Sequence, residues 1–279
     1  MTERTVLITG AGGGLGGATA ALFARRGWTV LAADLRPPAP APNTIPLALD
    51  VTDTASVAAA LTSAEEHAPG GLDAVVTFAG TMFVGALVEV DDADLQRIFE
   101  VNVLGTHRVV RAAFPLVHRR RGRVITISSE TGWQKALMLN GPYAMTKHAI
   151  EAYSDALRRE LMFLGIPVSI IQPGPFRTDM VHGIRSTFER ARERSTHFAE
   201  LIGKVAALAE GEQRRAHHPD VLARAVWKAA TASRPRRRYS VRPDPRRVLM
   251  HRLPDALLDP MLAAALRPQS EGDSESATR

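Results

Sequence analysis

Tyr143 and Lys147 lie four residues apart in GPYAMTKHAIEAYSDAL, a segment of helical pattern, so a phenol and an ammonium share one helix face within reach of each other. A tyrosine hydroxyl, with an ordinary pKa of about 10, exchanges protons poorly near neutrality. A positive charge beside it favours the phenolate, and this spacing gives Lys147 that role next to a general acid or base. The chain has three tyrosines, and of its 35 Lys and Arg residues only Lys135, Lys147, Lys204 and Lys228 are lysines, so the offset carries information. The structural alternative is a solvated helix face, where polar i, i+4 pairs are common.

Such a pair needs a scaffold and a reaction partner, and the amino terminus supplies a candidate for both. RTVLITGAGGGLGGATAALFARRG runs from a short β-branched strand through a glycine loop into an alanine-rich helix. Gly10, Gly14 and Gly16 fall where the loop turns tightly and a side chain would hold a pyrophosphate away from backbone N–H groups and the helix dipole. A glycine run alone could be a flexible turn; the flanking strand and helix point to a dinucleotide. The next strand, WTVLAADLR, ends at Asp34, about 20 residues beyond the glycines, where a carboxylate accepts hydrogen bonds from ribose hydroxyls and repels a 2′-phosphate. NAD is thereby favoured over NADP, a preference tempered by Arg36 close by.

Strand and helix patterns alternate along the chain. Strands are expected near 4–9, 28–33, 45–49, 73–78, 123–128 and 166–172, and helices near 15–26, 53–67, 91–120 and 142–164. Alternation of this kind predicts an α/β fold with a doubly wound parallel sheet. LDAVVTF and VSIIQ lack a polar alternate face, as parallel strands covered on both sides require. With 279 residues and 45% hydrophobic content, a single domain over 1–267 suffices, followed by a polar tail at 268–279 expected to be disordered. The absence of cysteine excludes thiol catalysis, disulfides and cysteine-ligated metals. No apolar run reaches about 18 residues, and the first strand begins too near Met1 to leave room for a signal peptide; a cytoplasmic protein without an integral membrane segment is expected. The net charge of +6 and the runs HRRRGR at 118–123 and RPRRRY at 234–239 raise nucleic acid as a partner. Each run sits where a helix ends and a strand begins, and neither is interleaved with stacking aromatics, so no nucleic-acid function is expected.

TGAGGGLG at 9–16, Asp50-Val51, Asn102, ISSETG at 127–132, YAMTK at 143–147 and PGPFRT at 173–178 resemble, in order and spacing, the short-chain dehydrogenase/reductase family over roughly residues 4–180. The resemblance implies a Rossmann-like domain, a nicotinamide cofactor and hydride transfer between an alcohol and a carbonyl. By the same resemblance Tyr143 is the general acid and base, Ser129 binds the substrate oxygen, Lys147 also binds the nicotinamide ribose, and Asn102 holds a water beside the lysine. Gly10, Gly14, Leu15 and Gly16 would form the phosphate loop, Asp34 and Leu35 would meet the adenosine ribose, and Asp50 and Val51 would cap the adenine. Ala79 and Gly80 would pass close to the cofactor, with Pro173, Gly174, Phe176 and Thr178 around the nicotinamide. The sequence departs from the family's pattern in three places. The loop from Ser129 to Tyr143 is one residue longer than is common, which leaves Ser128 as the alternative to Ser129. Thr77-Phe78 stands where two asparagines are usual, which implies altered support with catalysis intact. Phe176 stands where an aliphatic residue is usual.

Substrate identity is expected to reside in 179–217, which resembles a substrate-covering lid. Its Met180, Ile184, Phe188, Phe198, Leu201 and Ile202, with Trp133, Leu137 and Met138, are read either as the wall of a pocket for a bulky, apolar small-molecule substrate or as helix-packing residues. His182, His217 and His218 lack a carboxylate or cysteine cluster at ligand spacing, so no metal is expected. A carboxyl-terminal extension over 244–267 fits two short amphipathic helices that cover the cleft, contact another subunit or touch a membrane surface, packing on their own domain being favoured. The resemblance implies a homodimer or homotetramer. The leading function is an NAD-dependent oxidoreductase of a bulky secondary alcohol or ketone; the alternatives are a biosynthetic tailoring enzyme performing imine reduction, epimerisation or dehydration, and a non-catalytic nucleotide sensor.

Overall fold

Seven strands, β1 (Thr5–Thr9), β2 (Thr29–Asp34), β3 (Thr44–Ala48), β4 (Ala74–Thr77), β5 (Arg123–Ile127), β6 (Val168–Pro173) and β7 (Arg238–Val241), form one parallel sheet in the computed structural model. Their order is β3-β2-β1-β4-β5-β6-β7. The chain winds outward from β1 in one direction and then returns to lay β4 on the other side of β1. That reversal opens a crevice at the carboxyl ends of the strands, where α/β sheets bind ligands. The structure describes residues 4–177, 179–213 and 215–267, without the side chains of 179–184 and 213. Thr178, the 268–279 tail and the side chains of Met180, His182 and Ile184 lie outside the described residues.

Neighbouring residues of each strand enter opposite cores. Leu7, Leu31, Val75 and Val124 pack under α2 (Thr54–His67) and α4 (Gly105–Arg120), whereas Val6, Ile8, Val30 and Val76 pack under α1 (Gly14–Arg25) and α8 (Pro219–Thr231). Burial on both faces is why these strands carry no polar alternation. The second core is anchored by three rings. Phe23 of α1 meets Trp28 at 5.2 Å and Trp227 of α8 at 5.0 Å, both edge to face.

Four features stand out against the sequence reading. The helix expected over 91–120 is broken into α3 (Asp92–Phe99) and α4 by a π turn at Glu100–Leu104, a local widening often found at functional positions. The seventh strand, β7, is absent from the six assigned above. It is an edge strand with only Tyr239 and Val241 buried, and its arginine-rich start hides a short alternation. The region 179–217 is a helix pair, α6 (Asp179–Arg194) and α7 (Ala199–Gln213), and α5 (Gly141–Leu161) ends in a separate 3-10 turn. The basic runs serve the fold: Arg119 pairs with Glu65 at 2.7 Å, Arg120 with Asp73 at 3.2 Å, and Arg238 with Glu151 at 2.9 Å.

Replacing Phe23 with alanine removes the centre of the ring cluster from a fully buried position. The expected loss is about 3–5 kcal/mol of unfolding free energy. Denaturant titration measures it, and a loss below about 1 kcal/mol would show that the cluster is not an anchor.

Candidate active site

The carboxyl end of β5 delivers two serines, and strand alternation sends them apart. The Ser128 hydroxyl is buried and donates to the Lys147 carbonyl at 3.4 Å. Ser129 faces α5, where its hydroxyl stands beside the Tyr143 phenol and accepts from the Thr131 N–H at 3.3 Å. Of the two serines, Ser129 is the one beside Tyr143.

Tyr143 occupies the first turn of α5 and Lys147 the next. The Lys147 Nζ donates to the Ile127 carbonyl at 3.1 Å and lies 5.5 Å from the Tyr143 ring centroid. Both groups are driven toward their neutral forms. Burial pushes the Tyr143 hydroxyl up to about 12; the Ser129 hydrogen bond opposes this and the Glu130 carboxylate adds to it. Burial brings Lys147 down to about 8, against the pull of Glu151. The expectation that Lys147 lowers the tyrosine is therefore corrected. The cost of burying a phenolate outweighs the neighbouring ammonium, whose hydrogen bond goes to a backbone carbonyl.

Asn102 sits in the π turn, and its amide clasps the segment after β4. Oδ1 accepts from the Thr81 N–H at 2.7 Å, while Nδ2 donates to the Thr81 carbonyl at 2.9 Å and to Thr146 Oγ1 at 3.1 Å. Both amide hydrogens are thus spent on protein, so the side chain holds Thr81 against α5.

The glycine loop fits a dinucleotide. Gly10 has φ +68°, and a Cβ on Gly16 would stand 2.1 Å from the Gly10 carbonyl oxygen, so backbone fills the space a side chain would need. The first turn of α1 has no side-chain cap and no acidic residue, which leaves its N–H groups and dipole for an anion. Asp34 stands beside the loop, with Oδ2 accepting from the Gly12 N–H at 3.0 Å and Oδ1 from the Arg36 N–H at 2.9 Å. A cleft of about 740 Å³ runs from this loop past Tyr143 and Lys147. Gly10, Gly14, Leu15, Gly16, Asp34, Leu35, Val51, Ala79, Gly80, Pro173, Gly174 and Phe176 all line it. Asp50 does not. Its Oδ1 accepts from both the N–H and the hydroxyl of Thr52, at 2.8 and 2.7 Å, in a local turn between Leu49 and Val51, which do line the cleft. Thr77, in place of an asparagine, leaves its buried hydroxyl without a protein partner.

The far end of the cleft is apolar and roofed. Leu137, Met138, and Phe188 and Val205 of the helix pair line it, as do Met250 of α9 (Pro245–Arg252) and Leu262 and Leu266 of α10 (Asp255–Leu266). Phe188 serves both readings given above, since it also packs with Ile202, Phe198 and Leu201 in a core of its own. Trp133 is not part of the cleft; its ring meets His251 edge to face at 5.4 Å. The extension packs on its own domain, held by Lys135, which bonds the Leu253 carbonyl at 2.6 Å and pairs with Asp255.

Residues 4–189 match the profile of the short chain dehydrogenase family. The chain belongs to that family. It is 31% identical to the rat (Rattus norvegicus) 17-beta-hydroxysteroid dehydrogenase type 6 across 97% of this chain and 91% of the relative. It is 30% identical to the NADPH-dependent 3-dehydrocapnine reductase of Ornithobacterium rhinotracheale across 92% of this chain and 95% of that one. A short-chain dehydrogenase from Streptomyces avermitilis superposes with a TM-score of 0.72 at 26% identity, covering 100% of this chain and 99% of its own. The protein is accordingly a nicotinamide-dependent oxidoreductase of the kind that acts on CH–OH groups.

As a short-chain dehydrogenase, the chain adds residues that sequence reasoning missed. Glu130, 5% exposed and next to Ser129, accepts from the Asp244 N–H at 2.7 Å and faces Arg247 of α9 at 3.8 Å; Arg247 reaches Glu212 of α7 at 3.1 Å. Burial raises the Glu130 carboxyl. This cluster ties the segment after the serine to the helix pair and the extension. Glu151, one turn beyond Lys147, is buried and holds Gln172 at 2.9 Å. Its i, i+4 spacing from Lys147 was a signal open to sequence reading, whereas nothing local marks Arg247.

Lys147 releases its proton near 8 in the folded chain and near 10.5 when unfolded, so between those values the unfolded chain binds more protons and folding gains stability as pH rises. Against Lys147→Met, wild-type unfolding free energy should gain about 1 kcal/mol per pH unit across that window. Denaturant titrations at a series of pH values read the difference, and a difference that stays flat would contradict a lowered Lys147.

Proposed function

We propose that this chain is an NAD-preferring dehydrogenase or reductase of bulky, largely apolar secondary alcohols and ketones, with Tyr143 as its general acid and base. One observation carries the reading. Tyr143 and Ser129 stand together in the wall of a cleft that joins the glycine cradle to the apolar, roofed chamber. A relative named for a hydroxysteroid supports a substrate of that bulk.

A nicotinamide bound in the cleft would supply or take up hydride. The chain's own work is proton transfer and positioning. Ser129 and Tyr143 hold the substrate oxygen from two directions, and Tyr143 Oη gives a proton to that oxygen in reduction or takes one in oxidation. Burial raises its pKa, so the phenol carries its proton at neutral pH. Lys147 holds the ribose side of the site and stands beside the ring to meet the negative charge that appears when the proton leaves. The roof of α7, α9 and α10 excludes water from the reacting carbon. Within the cradle, Gly10, Gly14, Leu15 and Gly16 would hold the pyrophosphate, Asp34 and Leu35 the adenosine ribose, and Pro173, Gly174, Phe176 and Thr178 the nicotinamide.

The preference for NAD rests on Asp34. Each carboxylate oxygen has one backbone N–H partner, which holds the side chain in place at the end of β2 beside the loop. A 2′-phosphate placed there meets a like charge, while ribose hydroxyls find acceptors. The relative that depends on NADPH makes this a property to be measured on this chain.

Two outcomes follow from the reading. Tyr143→Phe should lower turnover of ketones with NADH by about 10²-fold or more while NADH binding is kept; turnover by the variant within a few-fold of wild type would refute the proton-transfer role. NADH should bind at least about tenfold tighter than NADPH, about 1.4 kcal/mol, and Asp34→Ala should narrow that gap. Calorimetry with both nucleotides measures it, and equal affinities in wild type would end the NAD assignment.

A further inference from the structure

The extension that roofs the cleft has a second apolar surface, turned outward. In α10, Leu258, Leu262 and Leu266 recur at i, i+4 and i+8 and form the inner stripe: Leu258 and Leu266 are buried, and Leu262 and Leu266 line the cleft. Leu257, Met261 and Ala264, at i, i+4 and i+7, form another stripe on the same helix, and it is exposed. Leu257 is 56% and Met261 59% exposed. The charged residues of α10 are Asp255, paired with Lys135, and Asp259. A helix this apolar around its circumference needs cover on more than one side.

The shorter α9 repeats the arrangement with charge added. Arg247 and Met250 line the cleft, while Arg246, Leu249 and Arg252, at i, i+3 and i+6, are exposed. Leu249 is 62% exposed. Arg242 before α9 and Arg267 after α10 are exposed as well. A leucine flanked by arginines on one helix face, followed by a helix with an outward stripe of leucine and methionine, has the chemistry of an interfacial helix. The apolar side chains enter the boundary between headgroups and acyl chains, and the guanidinium groups meet lipid phosphates. A second copy of the chain suits this face poorly. A two-fold contact sets the same patch against itself and would bring Arg246 and Arg252 toward their own counterparts.

We propose that the outer faces of α9 and α10 dock the protein on an anionic phospholipid surface. The docking stands on these exposed faces and does not depend on the reaction assigned above. No helix among the described residues is long and apolar enough to span a bilayer, so the contact is peripheral.

Flotation of the full chain with vesicles tests this, using phosphatidylcholine alone or mixed with phosphatidylserine. Wild type should float with the mixed vesicles and be released by high salt. The Leu257→Ser/Met261→Ser variant keeps every charge and should lose about tenfold or more of the bound fraction. Arg246→Ala/Arg252→Ala should lose the preference for anionic lipid. Thermal melting confirms that each variant is folded; both pairs are exposed, so either one alone can decide the matter. Absence of wild-type flotation would overturn the proposal. So would flotation unchanged in the serine variant, which would mean that the basic surface adheres without this face. Light scattering supplies the remaining outcome: a dimer split by the serine variant would show that a second copy covers the face, and would overturn the lipid assignment.

Discussion

Burying an ammonium behind the carboxyl end of the sheet is the constraint on which the rest of this structure turns. Lys147 is 7% exposed, and a lysine so placed is unfavourable unless other groups answer its charge. The Ile127 carbonyl answers directly, and the buried Glu151 answers through space. Glu151 is in turn held by Gln172 of β6 and by Arg238 of β7, and Arg238 also reaches Asp155 at 3.0 Å. The compensation for one charge at the site therefore extends to the edge strand. β7 matters less for the area it adds to the sheet than for the arginine it sets opposite α5.

The other side of the site is governed by the same physics with the sign reversed. Glu130 is a buried carboxylate beside Tyr143, and its partners come from Asp244 and Arg247 in the carboxyl-terminal extension. Arg247 is shared with Glu212 of the helix pair. Three segments far apart in sequence thus meet at one guanidinium. Glu130, which adds to the upward shift at Tyr143, is thus the same carboxylate that ties down the roof of the cleft. The chamber beneath that roof sits between two charged networks, one under Lys147 and one over Ser129, and Glu130, Arg247 and Glu212 of the second contribute to its lining.

Much of this was present in local spacing. The glycine loop, the Asp34 carboxylate one strand later, the Tyr143 and Lys147 pair and the alternation of strand and helix are short-range patterns, and period and offset alone place such residues on one face or at one strand end. Ser128 and Ser129 stayed alternatives in the sequence because of the lengthened loop, and the structure sets them apart. Asp50 and Asn102 were harder, because asparagine and aspartate take whichever backbone partners the fold brings within reach, and those partners here are Thr52 for one and Thr81 for the other.

What only the tertiary structure decided was the direction in which charges move and the company that distant residues keep. An i, i+4 pair specifies that an ammonium is near a phenol; it does not specify how much water both have lost. Burial depends on β5, the extension and the helix pair closing around them, and it reverses the sign of the shift at Tyr143. Arg247 meets Glu130 across more than a hundred residues of chain, a contact with no local signature. The sequence by itself determined the family, the sheet and the pairing of Tyr143 with Lys147, because those depend on local motifs and periodicity. The tertiary structure decided their protonation and their enclosure, because those depend on desolvation.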